Sequence, residues 1–119
     1  MTDRNGAVER IPRGTRWPSG DGRDAALLDI DAAELSHRLG FALDSGDEDG
    51  LGPWHGTGLR LSSGIHVGLI EHRFAPKRGF LLQVDLGADS STAVDETLAA
   101  LGLSRDTLLW LSPLIASRD

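Results

Sequence analysis

The chain has 119 residues, enough for one domain that buries its own core and too few for two. Its 39% hydrophobic and 25% charged residues are ordinary for a globular protein. The absence of cysteine excludes disulfide bonds and the zinc sites that need thiolate ligands. Because no stretch of the sequence resembles a signal peptide or a membrane span, we expect a cytoplasmic protein with no membrane partner.

The charge of the chain is unevenly distributed. Residues 1–23 carry five Arg and three acidic residues, whereas residues 24–119 carry seven basic and fifteen acidic residues and are therefore net −8. Since affinity for nucleic acid depends on Lys and Arg that neutralise phosphates, the acidic body argues against a nucleic-acid partner. An acidic surface instead steers association with basic proteins.

Residues 1–24 are predicted to form a disordered N-terminal arm, and residues 25–119 a single α+β domain. The arm contains Pro12 and Pro18, alternating charges and no apolar periodicity, so it cannot bury enough surface to offset the entropy of ordering it. The alternative interpretation is an arm that docks on a neighbour or partner through Trp17.

The domain begins with a short predicted strand at residues 26–30 and a helix at residues 32–39. Asp31 fits the N-cap position, and Glu34 lies three residues later, which completes a capping box. Gly40 follows at the position where a left-handed residue often ends a helix.

The chain then runs through an extended segment at residues 41–43 into an acidic, glycine-rich loop that reaches Thr57. A loop of this length in a compact domain is either functional or simply mobile. It carries Trp54 and His55 close to several glycines. Trp54 either folds back over the core as a lid or stands exposed as a binding anchor, because Trp is enriched among interface hot spots.

Three strands follow the loop. Residues 58–62 and 65–73 are predicted to form a hairpin through Ser63 and Gly64, and residues 80–86 form the third strand.

A second helix is predicted to begin at Ser90 or Ser91 and to end at Gly102, with apolar residues spaced for one helical face: Val94, Leu98 and Leu101. Residues 107–111 are either a strand or a short helix capped by Ser104. With the strand, the order is β-α-β-β-β-β-α-β. This order predicts an α+β fold, with a mainly antiparallel sheet of about five strands and two helices packed on one face.

Strand side chains alternate between the two faces of a sheet. If the helices cover the Leu, Val and Phe side chains, the opposite face presents a mixed surface: Arg60, Ser62, His66, Ile70, His72, Gln83 and Asp85. Histidine is a natural general acid or base near neutral pH, and Asp85 is placed to orient it. The same face is also consistent with a protein interface or with ordinary surface.

The histidines on this face do not predict a metal site. His66 and His72 lie six residues apart on one strand, a separation of roughly 20 Å at about 3.3 Å per residue, whereas the ligands of one metal lie close together. Glu71 is next to His72 but points to the opposite face. We therefore predict no metal and no cofactor.

The run Leu39-Gly40-Phe41, a long loop, two strands ending in Leu69-Ile70-Glu71 and a helix ending in Leu101-Gly102 resemble glyoxalase-type βαβββ modules. In that superfamily, paired modules form a cup that binds a divalent metal, and the resemblance implies Glu71 as a ligand. The chain departs from the family pattern, because its first helix is short, its first strand has no His, and the sequence does not hold a second module.

No complete catalytic set is evident, so no residue is predicted to be catalytic. We favour a non-catalytic module that binds another protein or a second copy of itself. The alternative is a domain that binds a small ligand or a divalent metal in a glyoxalase-like way. The candidate ligand-binding or interface residues are Trp54, His55, Arg60, His66, His72, Gln83 and Asp85.

Overall fold

Seven strands form one sheet in the structure, a computed structural model that describes residues 8–11, 22–48, 52–75 and 78–116. The strands are β1 (Val8–Ile11), β2 (Gly22–Leu28), β3 (Asp44–Glu48), β4 (Gly52–Leu61), β5 (His66–His72), β6 (Phe80–Asp85) and β7 (Leu108–Leu111). The helices are α1 (Ala32–Leu39), α2 (Ser90–Leu101) and α3 (Pro113–Ala116), and a 3-10 turn (Arg105–Thr107) precedes β7.

The strand order across the sheet is β1-β4-β5-β6-β2-β7, and neighbouring strands are antiparallel. β3 also pairs with β4, on the same edge as β1. β1 lies beside residues 58–61 of β4, whereas β3 lies beside residues 52–56. The long strand β4 is therefore shared by two short neighbours on one side and by β5 on the other.

The core lies between one face of the sheet and helices α1 and α2. The sheet contributes alternate residues that are almost fully buried: Leu59, Leu61, Val67, Leu69, Phe80, Leu82 and Val84. The helices contribute Leu35, Leu39, Val94, Leu98 and Leu101. Strand alternation and helical spacing assign these side chains to one face of each element. That face is buried because removing apolar area from water is the main driving force of folding.

The helix ends follow from their capping residues. The Asp31 carboxylate accepts a hydrogen bond from the Glu34 N–H at 2.8 Å, and α1 ends at Gly40, which has a left-handed φ of 85°. α2 ends at Gly102, and the Leu103 N–H then donates to the Leu98 carbonyl at 2.9 Å. Both ends agree with the sequence predictions, since these local signals satisfy terminal backbone groups, and Arg38 of α1 also donates to the Leu101 carbonyl at the end of α2.

The predicted fold class is confirmed, but the strand count and the element order are wrong. The sheet has seven strands instead of about five. One additional strand, β1, falls within the segment predicted as a disordered arm, and β2 begins at Gly22 instead of residue 26. The rest of that arm, including Trp17, lies outside the described residues. The segment 41–43 is not a strand.

The predicted acidic loop is instead a hairpin of β3 and β4. The five residues of β3, DSGDE, contain no β-branched or aromatic side chain, so propensity gives no indication of a strand. The segment is extended because its backbone pairs with β4, which is a tertiary effect. Residues 107–111 were predicted to be either a strand or a short helix capped by Ser104. The structure has a 3-10 turn at Arg105–Thr107, with Ser104 at its N-cap position, followed by strand β7 at Leu108–Leu111. Among the described helices, none is long and apolar enough to cross a membrane.

A partly buried ion pair between Arg10 and Asp44 links β1 to the β3–β4 hairpin. The Arg10 guanidinium donates to Asp44 Oδ1, and Asp44 is only 7% exposed. The same guanidinium lies 5.5 Å from the centre of the Phe41 ring, within the range of a cation–π contact. The contact joins the three segments that meet at this edge of the sheet.

We expect Asp44→Asn to lower the free energy of unfolding by roughly 2 kcal/mol, less than for a fully buried pair because the Arg10 side chain stays 24% exposed. The matched control is Asp47→Asn, on the same strand but exposed, which should change stability by less than about 0.5 kcal/mol. Urea unfolding followed by circular dichroism measures both. Equal effects of the two substitutions would contradict the role assigned to the pair.

Candidate functional site: the Ser45–His55–Glu71 row and its pocket

Three polar residues form one row across three neighbouring strands. His55 on β4 lies directly opposite Ser45 on β3 and directly opposite Glu71 on β5. Directly opposite residues project to the same face of a sheet. The next row along β4 and β5 on this face is Thr57 and Leu69, both fully buried. The polar row is therefore a continuation of the core face.

The Glu71 carboxylate holds the site together. Its Oε1 lies 2.7 Å from His55 Nε2, and its Oε2 accepts a hydrogen bond from the Gly79 N–H at 2.9 Å. Because a carboxylate can only accept, the proton on this side of the imidazole belongs to Nε2, and a neutral ring then carries its lone pair on Nδ1. The His55 ring also stacks on the buried Phe80 ring, with centroids 5.2 Å apart.

A cavity of about 580 Å³ opens beside this row. Its lining comes from the β3–β4 hairpin, the end of β5 and the segment before β6: Ser45, Pro53, Trp54, His55, Glu71, His72, Arg73, Ala75 and Arg78. The volume falls in the range of pockets that hold small organic molecules, which are usually apolar with a few polar groups.

The charged groups of this lining are two guanidinium groups and one carboxylate, in a chain whose net charge is −6. Arg78 is fixed by a bidentate pair with Asp29, in which both N–O distances are 3.0 Å. Arg73 is held through its backbone N–H, which donates to the Pro53 carbonyl at 2.8 Å, and its guanidinium lies 5.9 Å from the Phe74 ring centre. With Asp29 counted, two guanidinium groups stand against two carboxylates, so the pocket is close to neutral within an acidic protein.

Three of the residues singled out from the sequence line this pocket: Trp54, His55 and His72. Trp54 and His72 lie opposite each other on β4 and β5, on the reverse face from His55. The Trp54 ring packs over Gly46 on β3, where a Cβ atom would come within 2.8 Å of the indole. Trp54 is therefore half-buried against the hairpin strand beside it.

The other four lie at the far end of the reverse face. Arg60 lies opposite His66, and Asp85 lies near them on β6. Arg60 lies six positions after Trp54 on β4, which corresponds to roughly 20 Å. Arg60 pairs with Glu9 at 3.3 Å, and Gln83 donates to Asp24 at 3.3 Å. The structure thus divides the candidate residues into two separate groups.

Sequence reasoning did not single out Ser45, Arg73 or Arg78, and it considered Glu71 only as a neighbour of His72 and as the ligand that the glyoxalase resemblance implies. A signal for His55 and Glu71 was nevertheless present. His55 has the same parity along β4 as Thr57, Leu59 and Leu61, so an extended β4 would place it on the core face. That signal was lost because residues 44–57 were interpreted as a loop.

Within the described parts of the chain, no group of three or more His, Asp or Glu side chains is arranged to hold a metal ion. No protein-family model matches the chain, and no curated protein or solved structure is significantly similar to it. The function must therefore be argued from the pocket itself.

We expect Glu71→Ala to lower the free energy of unfolding by about 2 kcal/mol, because the buried Gly79 N–H loses its acceptor and His55 loses its partner. The control is Glu96→Ala, which removes a longer, exposed contact of 3.4 Å to the Ser63 N–H and should cost less than about 0.5 kcal/mol. Urea unfolding gives the stabilities, and amide hydrogen exchange should accelerate at Gly79 in the first variant only. Unchanged exchange at Gly79 would show that the carboxylate does not secure this segment.

Proposed function

We propose that this domain binds a small organic carboxylate in the pocket beside the Ser45–His55–Glu71 row. The observation that carries the proposal is Arg73, an exposed residue of the pocket lining whose guanidinium lies over the Phe74 ring. A carboxylate is the group that a guanidinium recognises best, because two parallel N–H donors match its two oxygens.

The walls of the pocket favour a ligand with an apolar or aromatic body. Pro53 and Ala75 contribute apolar surface beside the row, whereas the Trp54 ring, which packs over Gly46, borders the pocket from the reverse face. Aromatic side chains give large contact areas at a low cost in conformational entropy. A molecule with one ring and one carboxylate would match both the size and the chemistry of the lining.

The two guanidinium groups have different roles in this proposal. Arg78 is already occupied by Asp29, which fixes its position and neutralises much of its charge. Arg73 lies in the turn directly after β5 and lines the pocket, and its backbone N–H donates to the Pro53 carbonyl. Arg73 is therefore the proposed partner of the ligand carboxylate.

We expect phenylacetate to bind and phenethyl alcohol, which has a similar body without the charge, to bind much more weakly. Arg73→Gln should weaken phenylacetate binding by about tenfold, since one charge-assisted hydrogen bond is lost. Arg105→Gln is the matched control, because Arg105 is also an exposed Arg and pairs with Asp95, outside the pocket lining.

Titration followed by amide chemical shifts measures these affinities and also locates the ligand. Shifts concentrated on the pocket lining, and reduced by Arg73→Gln alone, would support the proposal. The proposal fails if phenylacetate and phenethyl alcohol bind equally, or if the shifts map to another surface.

A second candidate function is self-association through β7. Among the described strands, β7 pairs only with β2, so its outer edge faces no other described strand. Its sequence, LLWL, carries no charge, and Leu109 and Trp110 are 46% and 37% exposed. An uncharged edge can pair with an identical edge of a second copy, as in a two-fold symmetric dimer. The proposed occupant of this edge is therefore a second copy of the chain.

We expect light scattering coupled to size-exclusion chromatography to show a concentration-dependent dimer, because edge pairing adds backbone hydrogen bonds and buries Leu109 and Trp110. Leu109→Lys should abolish it by placing a charge in the new interface. Leu86→Lys is the control, since Leu86 is also 46% exposed but lies in the turn after β6. A wild-type protein that stays monomeric at all concentrations, or a dimer that Leu109→Lys leaves intact, would refute this candidate.

A further inference from the structure

We propose that Ser45, His55 and Glu71 hydrolyse a small carboxylic ester, with Ser45 as nucleophile, His55 as general base and Glu71 as positioning residue. The inference rests on the proposed function, because the ester would lie in the same pocket and the acid product is a bound carboxylate. Its basis is the row that the three residues form across β3, β4 and β5.

The lengths of the two flanking side chains suit the two nitrogens of the imidazole. The long Glu71 side chain reaches the distal nitrogen, Nε2, at 2.7 Å. Ser45 lies on the other side of His55, and directly opposite residues have Cβ atoms about 4.5–5.5 Å apart in an antiparallel pair. Ser45 therefore lies beside the imidazole, and the proposal requires its hydroxyl to turn toward the proximal nitrogen, Nδ1, which carries the lone pair when Glu71 holds the Nε2 proton.

Exposure to solvent increases along the row from Glu71 to His55 to Ser45, as expected for a positioning residue, a general base and a nucleophile. Glu71 is 24% exposed and held by two hydrogen bonds, His55 is 39% exposed, and Ser45 is exposed and lines the pocket. A serine hydroxyl becomes a nucleophile when an adjacent base takes its proton and a third group orients that base. The arrangement therefore places the reactive hydroxyl toward the ligand and the orienting group toward the protein.

The proposed reaction has two steps. In the first, Ser45 Oγ attacks the ester carbonyl carbon, its proton passes to His55 Nδ1, and the intermediate collapses by breaking the bond to the alkoxy oxygen. That oxygen takes the proton from His55 and leaves as an alcohol. In the second, water attacks the acyl group on Ser45, His55 takes the water proton and returns it to Ser45 Oγ, and the carboxylic acid leaves. The sum is ester plus water giving acid plus alcohol.

The Arg73 guanidinium supplies a partner for the charge that develops during attack. The carbonyl oxygen becomes negative in the tetrahedral intermediate, and a positive group near it lowers the barrier. Arg73 lies in the turn after β5 and lines the same pocket as the row. The same guanidinium would then hold the product carboxylate, so one residue serves both the reaction and the binding.

The test combines covalent labelling with turnover. The wild-type protein is incubated with an aryl fluorophosphonate, which phosphonylates activated serines, and the labelled residue is identified by peptide mass spectrometry. Hydrolysis of para-nitrophenyl phenylacetate is followed in parallel by the release of para-nitrophenolate. We expect a single adduct on Ser45, and we expect Ser45→Ala to abolish both the adduct and the turnover.

Ser62→Ala is the matched control, because Ser62 is an exposed serine in the turn between β4 and β5, at the other end of β4. It should leave labelling and hydrolysis unchanged. His55→Ala should lower kcat by about a hundredfold or more, as expected for loss of a general base. Glu71→Gln should lower kcat by at least about tenfold per folded molecule, with the folded fraction measured by circular dichroism, because partial unfolding alone would also lower the apparent kcat at unchanged KM.

Binding of phenylacetate to Ser45→Ala separates this inference from the proposed function. If phenylacetate binds but the wild-type protein is neither labelled on Ser45 nor active, the ester hydrolysis is refuted and the binding function stands. If phenylacetate does not bind, both are refuted. Labelling that is spread over several serines, or turnover that survives Ser45→Ala, would also refute the proposed role of the row.

Discussion

The backbone register of β4 against its neighbours is the constraint on which the rest of the structure depends. This register places His55 opposite both Ser45 and Glu71 and, farther along, Leu59 opposite Val67. Because side chains alternate with a period of two, a slip of one residue would turn the polar row to the reverse face and expose the core residues. Burial of the apolar half of β4 therefore also fixes the geometry of its polar half.

The site lies where the core ends. Along the same face of β4 and β5, the side chains change from the apolar pair Leu59 and Val67, through Thr57 and Leu69, to the polar pair His55 and Glu71. The stacking of His55 on Phe80 joins the two regions, because Phe80 is fully buried in the core. The His55 ring is thus held against the core, and rigid elements hold functional groups more accurately than loops do.

Glu71 links folding and chemistry, since one of its oxygens accepts from the Gly79 backbone and the other contacts His55. A carboxylate with both oxygens engaged has little freedom to rotate, so the orientation of the imidazole follows from contacts that also close the segment before β6. The fold and the proposed activity depend on the same side chain. Substitutions there must be assessed by both stability and kinetics to separate the two effects.

The sequence by itself determined the parts of the protein that depend on local signals and on periodicity. Capping residues such as Asp31 and Gly102 set the helix ends, and alternation identified the face that carries Leu59 and Leu69. Trp54, His55 and His72 were recognised as candidates by residue type, although not as a group. These features need no knowledge of which strands are neighbours.

Only the tertiary structure decided the rest. β3 consists of acidic and small residues and is a strand because its backbone pairs with β4. Backbone hydrogen bonds do not depend on the side chains, so the sequence shows no periodicity that would predict this strand. Ser45 and Glu71 are 26 positions apart in the chain, and they meet around His55 because β3 and β5 flank β4. Which polar residues become neighbours is set by strand order and register, and these are properties of the whole sheet.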